Sequence, residues 1–177
     1  VRDFSPTSNK KFAIVLHIAQ PENGLAWFPK AIENGITDFD VIGLSYYPQW
    51  STYKLDTIGN AVSELTAKIK KPVMIVETGY PWTFENFDKA DNVLWKNAVL
   101  PDYPPTPNGQ LDYLLALSKA VKTAGGLGIL YWEPAWISTS CKTLWGTGSH
   151  WENAAFFDAS RKNTTLPAFN FFREGKK

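Results

Sequence analysis

Cysteine is nearly absent from this chain of 177 residues, and several patterns that signal particular functions are absent as well. The single cysteine, Cys141, excludes a disulfide within the chain, and no Cys-x-x-Cys pair or closely spaced pair of histidines offers a metal site. The 18 basic and 17 acidic residues leave a net charge of +1, without a charged run or stripe. Nucleic acid or an anionic membrane surface is therefore not the expected main partner.

Glycine-rich phosphate loops and long apolar segments are also missing. Neither Gly-x-Gly-x-x-Gly nor Gly-x-x-x-x-Gly-Lys-Ser/Thr occurs, which argues against nucleotide binding. No stretch reaches the length of a membrane span. The apolar run at 12–19 follows two lysines, but it is short and contains His17, so it predicts a strand rather than a signal peptide.

Tryptophan, in contrast, is abundant. Eight tryptophans contribute to an aromatic content of 15%. Aromatic rings in polar, loop-like sequence suit either stacking on sugar C–H groups or a protein interface, and composition slightly favours the sugar. The tryptophans in such sequence are Trp50, Trp82, Trp136, Trp145 and Trp151.

Four short apolar runs predict buried parallel strands, at about 12–18, 39–45, 72–77 and 127–132. Each run is continuous rather than alternating, as in strands that are covered on both faces. Helical patterns lie between the strands, and long loops are predicted at about 78–108 and 133–155. The predicted fold class is α/β, with about four βα units in a single domain over 1–177.

Four βα units fit either half of a TIM (β/α)8 barrel or a small doubly wound sheet. The first two intervals between strand starts are close to the roughly 30 residues that one barrel unit takes. A doubly wound nucleotide binder needs a glycine-rich turn after its first strand, whereas AQPENGLAW, at 19–27, contains one glycine. In either architecture the functional groups gather at the C-terminal ends of the strands.

The predicted strand ends carry residues that suit a polar pocket with aromatic walls. Each has a structural alternative, such as a buried histidine, tyrosines that simply favour strands, or a glutamate that braces a loop. Glu77 is the hardest to explain structurally, because it ends an apolar run with no arginine or lysine beside it. The strand ends are His17, Ser45-Tyr46-Tyr47, Glu77 and Tyr131-Trp132-Glu133.

Three of these ends lie within longer motifs, DFDVIGLSYYPQW, KPVMIVETGYPW and GILYWEPAWI. In order and spacing they closely resemble the last three strand motifs of glycoside hydrolase family 53, the endo-β-1,4-galactanases that cut galactan and type I arabinogalactan. LHIAQPENGLAWF is similar to a looser version of the family's preceding strand. The resemblance covers about residues 12–158. It implies the C-terminal half of a TIM (β/α)8 barrel from an extracellular or periplasmic glycosidase.

The resemblance also implies roles for individual residues. Glu77 corresponds to the nucleophile of a retaining mechanism, and Tyr46 or Tyr47 to the tyrosine that hydrogen-bonds it. Trp132 corresponds to the aromatic platform beneath the sugar at the cleaved bond, and His17 to a substrate-contacting histidine. Weaker candidates for neighbouring sugar subsites are Trp50, Trp82 and Trp136.

The sequence departs from the family in two respects. The family's acid/base glutamate follows an asparagine on the fourth strand, and this chain contains no Asn-Glu pair. Glu133 is a poor substitute, so weak or no hydrolysis is expected from this chain alone. Some family members hold calcium in the loop after the nucleophile. Here that loop keeps oxygen ligands but has alanine at the histidine position, so neither a calcium ion nor another cofactor is expected. The corresponding residues are Asn86, Asp88, Ala90 and Asn92.

A half-barrel leaves two strand edges and an apolar inner face open, and both favour association. β-1,4-galactan is the expected substrate partner. The open edges have three possible outcomes: pairing with the missing N-terminal half, symmetric pairing with a second copy, or closure as a small independent domain. Pairing with a second copy, which hides both edges, is the expectation if the chain is soluble alone. The alternatives for function are a galactan-binding remnant without catalysis and an α/β interaction domain. Galactan affinity that survives Glu77→Gln would indicate the remnant, and no affinity would indicate the interaction domain.

Overall fold

The structure, a computed structural model, describes residues 12–144 and 146–174. Its main sheet contains three parallel strands, paired in the order β1-β2-β3. A helix follows each strand, so the chain has the predicted α/β fold. The strands are β1 (Val15–Ile18), β2 (Val41–Ser45) and β3 (Val73–Glu77), and the helices are α1 (Pro21–Glu33), α2 (Ile58–Ile69) and α3 (Pro107–Thr123).

The predicted fourth strand, 127–132, is reduced to a single bridge. Ile129 pairs in parallel with Ile75 of β3, and the N–H of Leu130 donates to the main-chain oxygen of Ile75 at 2.8 Å. The ladder does not continue beyond this bridge, because the N–H of Trp132 donates to the main-chain oxygen of Thr78 at 2.8 Å, one residue past the regular acceptor, Glu77. The segment 127–132 therefore occupies a strand position beside β3 without forming a full strand.

Local sequence explains where the helices begin and which face they bury. The proline-rich segment before α3 ends at Thr106, whose side chain accepts the N–H of Gly109 at 3.0 Å and caps the helix. Pro107 then occupies the first turn, where its missing N–H costs nothing. In α2, Ile58, Ala61, Val62 and Leu65 recur at helical spacing, and all four are buried.

The hydrophobic core lies between the helices and one face of the sheet. Ile42 and Leu44 of β2 and Ile75 of β3 are buried there with residues of all three helices. On the other face, a Cβ on Gly43 would lie 2.9 Å from Val76 and 3.3 Å from the Cβ of His17.

That second face is open. Val15, which also lies beside Gly43, is 42% exposed. The continuous apolar runs predicted strands covered on both faces, and the described residues cover only the helical side. The inner face therefore keeps apolar side chains in contact with solvent.

The remaining described residues form short elements. Two small antiparallel pairs follow the segment 127–132. One 3₁₀ turn lies in the loop after β3, and two others precede a final helix that packs its Phe171 on the core. None of the helices in the described ranges has the length and apolar character needed to cross a bilayer. The pairs are β4 (Lys142–Thr143) with β5 (Gly146–Thr147) and β6 (Phe157–Asp158) with β7 (Thr164–Thr165); the turns are Lys96–Ala98, Ala159–Arg161 and Pro167–Asn170, and the helix is α4 (Phe171–Glu174).

Candidate active site

The C-terminal ends of the strands bring four of the predicted site residues to one edge of the sheet. A register shift between Leu44 and Ser45 sets Ser45 opposite Glu77. The Oγ of Ser45 lies 2.9 Å from Nε2 of His17, which connects the ends of β1 and β2. The N–H of Trp132 donates to the main-chain oxygen of the residue after Glu77 at 2.8 Å. A base, a carboxylate and an exposed indole thus meet at this edge.

Tyr47 also lies at this edge and hydrogen-bonds directly to the carboxylate of Glu77. Its hydroxyl donates to Oε1 of Glu77 at 3.1 Å. Burial, followed by the charge of Glu77, raises the pKa of Tyr47 well above its ordinary value, so the phenol stays protonated and remains a donor. Glu77 is half-buried, so its carboxylate is both oriented and reachable from solvent.

Tyr46 points the other way. It is fully buried on the helical side of the sheet, and its hydroxyl donates to the main-chain oxygen of Tyr53 at 3.3 Å. Burial raises its pKa above the ordinary value as well. The sequence left Tyr46 and Tyr47 as equal candidates for the partner of Glu77, and the structure brings only Tyr47 to the carboxylate.

The predicted sugar-stacking tryptophans divide into exposed and buried ones. Trp132 and Trp50 are 44% and 45% exposed, and Trp50 packs edge-on against Tyr47 with ring centroids 4.9 Å apart. Trp82 is buried in the loop after β3, where its indole N–H donates to the main-chain oxygen of Glu152 at 3.2 Å. Trp136 is half-buried. Trp145 lies outside the described residues.

Sequence reasoning missed Trp151 as a buried residue. Its polar, loop-like sequence suggests an exposed tryptophan, yet Trp151 belongs to a small second core with Tyr47, Leu94, Ala98 and Ala154. Ser45 was noted as part of a strand end but not as the partner of His17. Strand alternation could have predicted the contact between Ser45 and His17, because residues 43, 45 and 47 lie on the side of β2 that faces away from the helices.

Polar contacts join the two long loops beside the site. The first loop (78–106) follows β3 and the second (133–155) follows the segment 127–132; we call them the rim loops. Asp88 of the first loop accepts the N–H groups of Ser149 at 2.7 Å and Thr139 at 3.1 Å from the second. Its other oxygen accepts the N–H of Ala90 at 2.8 Å. Buried Glu152 of the second loop accepts the N–H of Phe87 at 2.5 Å.

These contacts bear on the calcium that some family members hold in the first rim loop. The side-chain oxygens of Asp88 face main-chain N–H groups, and Ala90 supplies no side-chain ligand. Within the described ranges no three His, Cys, Asp or Glu residues cluster as a metal site. The residues therefore do not fit a calcium ion, and the absence of one stays a prediction.

The sequence matches the family model of glycosyl hydrolase family 53 over residues 1–172. The chain belongs to this family. The resemblance seen in the strand-end motifs is thereby confirmed.

Individual relatives agree with this assignment. The chain is 63% identical over 173 residues to the arabinogalactan endo-β-1,4-galactanase of Cellvibrio japonicus, covering 98% of this chain and 46% of that protein. It is 33% identical over 162 residues to the endo-β-1,4-galactanase of Bacillus subtilis, covering 83% and 37%. The GH53 catalytic domain of Ignisphaera aggregans superposes with a TM-score of 0.84 at 30% identity, over 98% of this chain and 48% of that one. The chain thus spans about half the length, or less, of the relatives it matches.

Proposed function

We propose that this chain is the nucleophile-bearing half of a retaining endo-β-1,4-galactanase. The observation that carries the proposal is the 3.1 Å hydrogen bond from Tyr47 to Glu77 at the end of β3. A phenol that stays protonated stabilises the ionised carboxylate, which is the form that attacks a sugar. The galactanases of Cellvibrio japonicus and Bacillus subtilis support β-1,4-galactan and arabinogalactan as the substrate class.

In the proposed reaction, Glu77 attacks the anomeric carbon of a galactosyl unit and forms a covalent glycosyl-enzyme. A second carboxyl group protonates the oxygen of the departing sugar and then deprotonates the water that releases the glycosyl group, so the anomeric configuration is retained. Exposed Trp132 would stack beneath the sugar bound at the cleaved bond. His17, oriented by Ser45, would hydrogen-bond to hydroxyl groups of that sugar.

The second carboxyl group has to lie about 5–5.5 Å from the nucleophile in a retaining enzyme. Two glutamates of the second rim loop are poor candidates. Glu133 is exposed and its main chain has a φ of 49°. Glu152 is buried, and its carboxylate accepts the N–H of Phe87. We therefore assign the acid/base to sequence upstream of this chain, and we expect the chain alone to hydrolyse galactan weakly or not at all.

The same upstream sequence is the proposed partner of the open sheet, and together they would form a TIM (β/α)8 barrel. β1 and the segment 127–132 lie at opposite sides of the described sheet, and Val15 and Leu130 are 42% and 50% exposed there. Neither VLHI nor ILYW contains the lysine or proline that protects lone edges. Upstream sequence is favoured over a second copy because it would supply the acid as well as the strands.

A groove beside β1 fits the same partner. It has a volume of about 590 Å³ and is lined mainly by Ile18, Ala19, Ala26 and Trp27. Trp27 stands on α1 and is partly exposed. The groove lies next to the open edge of β1, where the helix of a preceding βα unit would pack.

The proposed substrate also implies a place of action. Galactan is a polysaccharide too large to diffuse through a bilayer, so an enzyme that cuts it works outside the cytoplasm. We propose an extracellular or periplasmic location. Galactanase activity in the culture medium or periplasmic fraction, absent from the cytosol, is the expected result of fractionation.

A binding module that grips galactan without cutting is the second candidate. The exposure of Trp132 and Trp50 beside Glu77 favours it, because exposed indoles bind sugars without any catalytic group. The two candidates differ in what Glu77 does. Catalysis requires its carboxylate, whereas binding through the indoles survives its replacement.

The experiment measures reducing ends released from β-1,4-galactan. It uses this chain alone and this chain fused behind the upstream half of the Cellvibrio japonicus galactanase; the fusion is called the completed chain. We expect hydrolysis by the completed chain, its loss in Glu77→Gln, and no change in the control Glu64→Gln, an exposed glutamate of α2. Galactan binding without hydrolysis, unaffected by Glu77→Gln, would indicate the binding module. If the completed chain neither hydrolyses nor binds β-1,4-galactan, the substrate assignment is wrong.

A further inference from the structure

Trp151 is the largest side chain of the second core and lies behind the candidate site. It is 5% exposed, in contrast to Trp132 and Trp50. It comes from the second rim loop, about twenty residues after Trp132 in sequence. The proposed reaction gives it no contact with a sugar, so its burial beside the site calls for a different role.

The indole of Trp151 contacts both Tyr47 and the main chain of Trp132. Its ring packs edge-on against the ring of Tyr47, with centroids 5.9 Å apart and planes at 86°. Its N–H donates to the main-chain oxygen of Trp132 at 2.9 Å. One rigid side chain therefore contacts two parts of the candidate site. These are Tyr47, whose hydroxyl donates to Glu77, and the main chain at Trp132, the proposed sugar platform.

The main chain after Glu77 leaves room for this indole. Gly79 follows the nucleophile by two residues, and a Cβ there would lie 2.5 Å from Cζ2 of Trp151. No real side chain tolerates so short a contact, so any residue other than glycine would displace the indole or the strand end. The third contact of Trp151 is therefore with the backbone that carries the nucleophile.

The main chain of Trp151 is itself fixed. Its N–H donates to the Oγ of Ser149 at 3.1 Å, and that hydroxyl donates to the main-chain oxygen of Trp136 at 2.6 Å. Its carbonyl oxygen accepts the N–H groups of Ala154 and Ala155 at 2.9 and 3.0 Å. The indole is thus held from behind by a tightly hydrogen-bonded loop.

We propose that Trp151 is a positioning residue that fixes the Tyr47–Glu77 pair relative to the Trp132 platform. The proposal rests on the function proposed above and deepens it. The anomeric carbon and the carboxylate oxygen have to be held about 3–3.5 Å apart before they react, and a misplacement of about 1 Å can cost about a hundredfold in rate. A residue that touches Tyr47, the backbone at Gly79 and the Trp132 carbonyl oxygen controls that distance without touching the substrate.

The test compares Trp151→Phe with Trp95→Phe in the completed chain. Phenylalanine keeps an aromatic ring at 151 but removes the N–H and part of the contact with Tyr47. Trp95 is a partly exposed tryptophan of the first rim loop whose ring lies over Phe84, so it is a matched control. Two quantities are measured, the kcat and KM on soluble galactan and the ring-carbon NMR resonance of Tyr47, identified with Tyr47→Phe.

We expect Trp151→Phe to lower kcat by at least about tenfold while KM changes less than about threefold, because orientation rather than affinity is lost. The Tyr47 resonance should move in this variant and stay in place in Trp95→Phe. Gly79→Ala should reproduce both effects from the opposite side of the indole. It is the decisive variant if Trp151→Phe fails to fold.

The outcomes separate this proposal from the one it rests on. A Tyr47 resonance that does not move in Trp151→Phe or Gly79→Ala would overturn the positioning role, whether or not galactan is cut. A raised KM at unchanged kcat would overturn it too, since that result means direct sugar binding. If the completed chain never cuts galactan, the proposed function fails, and a Tyr47 resonance that stays in place in both variants would then still overturn the positioning role.

Discussion

The hydroxyl of Tyr47 donates a 3.1 Å hydrogen bond to Oε1 of Glu77, the residue that ends β3. The residue before it, Tyr46, is buried on the other side of the sheet and donates to the main-chain oxygen of Tyr53. The hydroxyl of each of these adjacent tyrosines donates one hydrogen bond, but only that of Tyr47 reaches the carboxylate of Glu77.

The first prediction uses this pair. Tyr47→Phe should lower the kcat of the completed chain by about tenfold to a hundredfold, because the nucleophile loses the donor that orients it and favours its ionised form. Tyr46→Phe should leave kcat unchanged and lower the free energy of unfolding by about 1 kcal/mol. The measurements are galactan hydrolysis and urea unfolding. Equal kcat values for the two variants would contradict the assignment of Tyr47.

The second prediction concerns His17 and its neighbour Ser45, whose side chains lie 2.9 Å apart. Ser45→Ala removes the group that orients the imidazole, so the KM for galactan should rise severalfold, by about 1 kcal/mol of binding free energy. Ser63→Ala, at an exposed position on α2, is the matched control. A KM that is the same in both variants would mean that Ser45 does not orient His17 for sugar binding.

The third prediction concerns alkaline pH. Burial raises the pKa of Tyr80 to about 12, above the ordinary value of 10 that it regains on unfolding. The folded state therefore keeps a proton that the unfolded state releases. The contribution of Tyr80 to stability is constant below about pH 10 and is lost between pH 10 and 12, by up to about 1.4 kcal/mol per pH unit.

Urea unfolding of the completed chain between pH 8 and 11.5 checks this dependence. Tyr80→Phe should show a shallower loss of stability above pH 10. It should also be less stable at neutral pH, because the N–H of Leu100 loses its acceptor at 2.7 Å. If both proteins lose stability equally steeply, Tyr80 does not titrate as expected.

The fourth prediction concerns the first rim loop and calcium. EDTA should not change the Tm of the completed chain, because the carboxylate of Asp88 binds main-chain N–H groups instead of a cation. Asp88→Asn should lower the free energy of unfolding by about 2 kcal/mol, since an amide cannot accept on both sides. Asp102→Asn, at an exposed aspartate, is the control. A Tm that drops with EDTA would indicate a bound cation.

Sequence patterns predicted the three regular strands and their helices because parallel strands and amphipathic helices leave local signals. The fourth strand is shorter than predicted, since periodicity does not reveal that the N–H of Trp132 donates to Thr78 instead of continuing the ladder to Glu77. Strand alternation could have separated Tyr46 from Tyr47. Ile42 and Leu44 face the helices, so the even-numbered tyrosine follows them.

The loops were beyond sequence reasoning for a physical reason. Trp82 and Trp151 are buried by partners far along the chain, such as the main-chain oxygen of Glu152, which lies 70 residues from Trp82. Contacts of that span depend on the whole fold, and composition around each tryptophan suggested only exposed, polar surroundings. The candidate site residues on strand ends carry local sequence signals, whereas a residue that packs behind them, such as Trp151, comes from a loop.

The carboxylate of Asp88 has a consequence for motion. It holds the N–H groups of Ala90, Thr139 and Ser149, which belong to two loops about fifty residues apart in sequence. Releasing any of them leaves a charge short of donors, so the loops should separate in one cooperative event instead of fluctuating independently. The three amides should then exchange with deuterium at a common rate, and shortening either loop should speed up exchange in both.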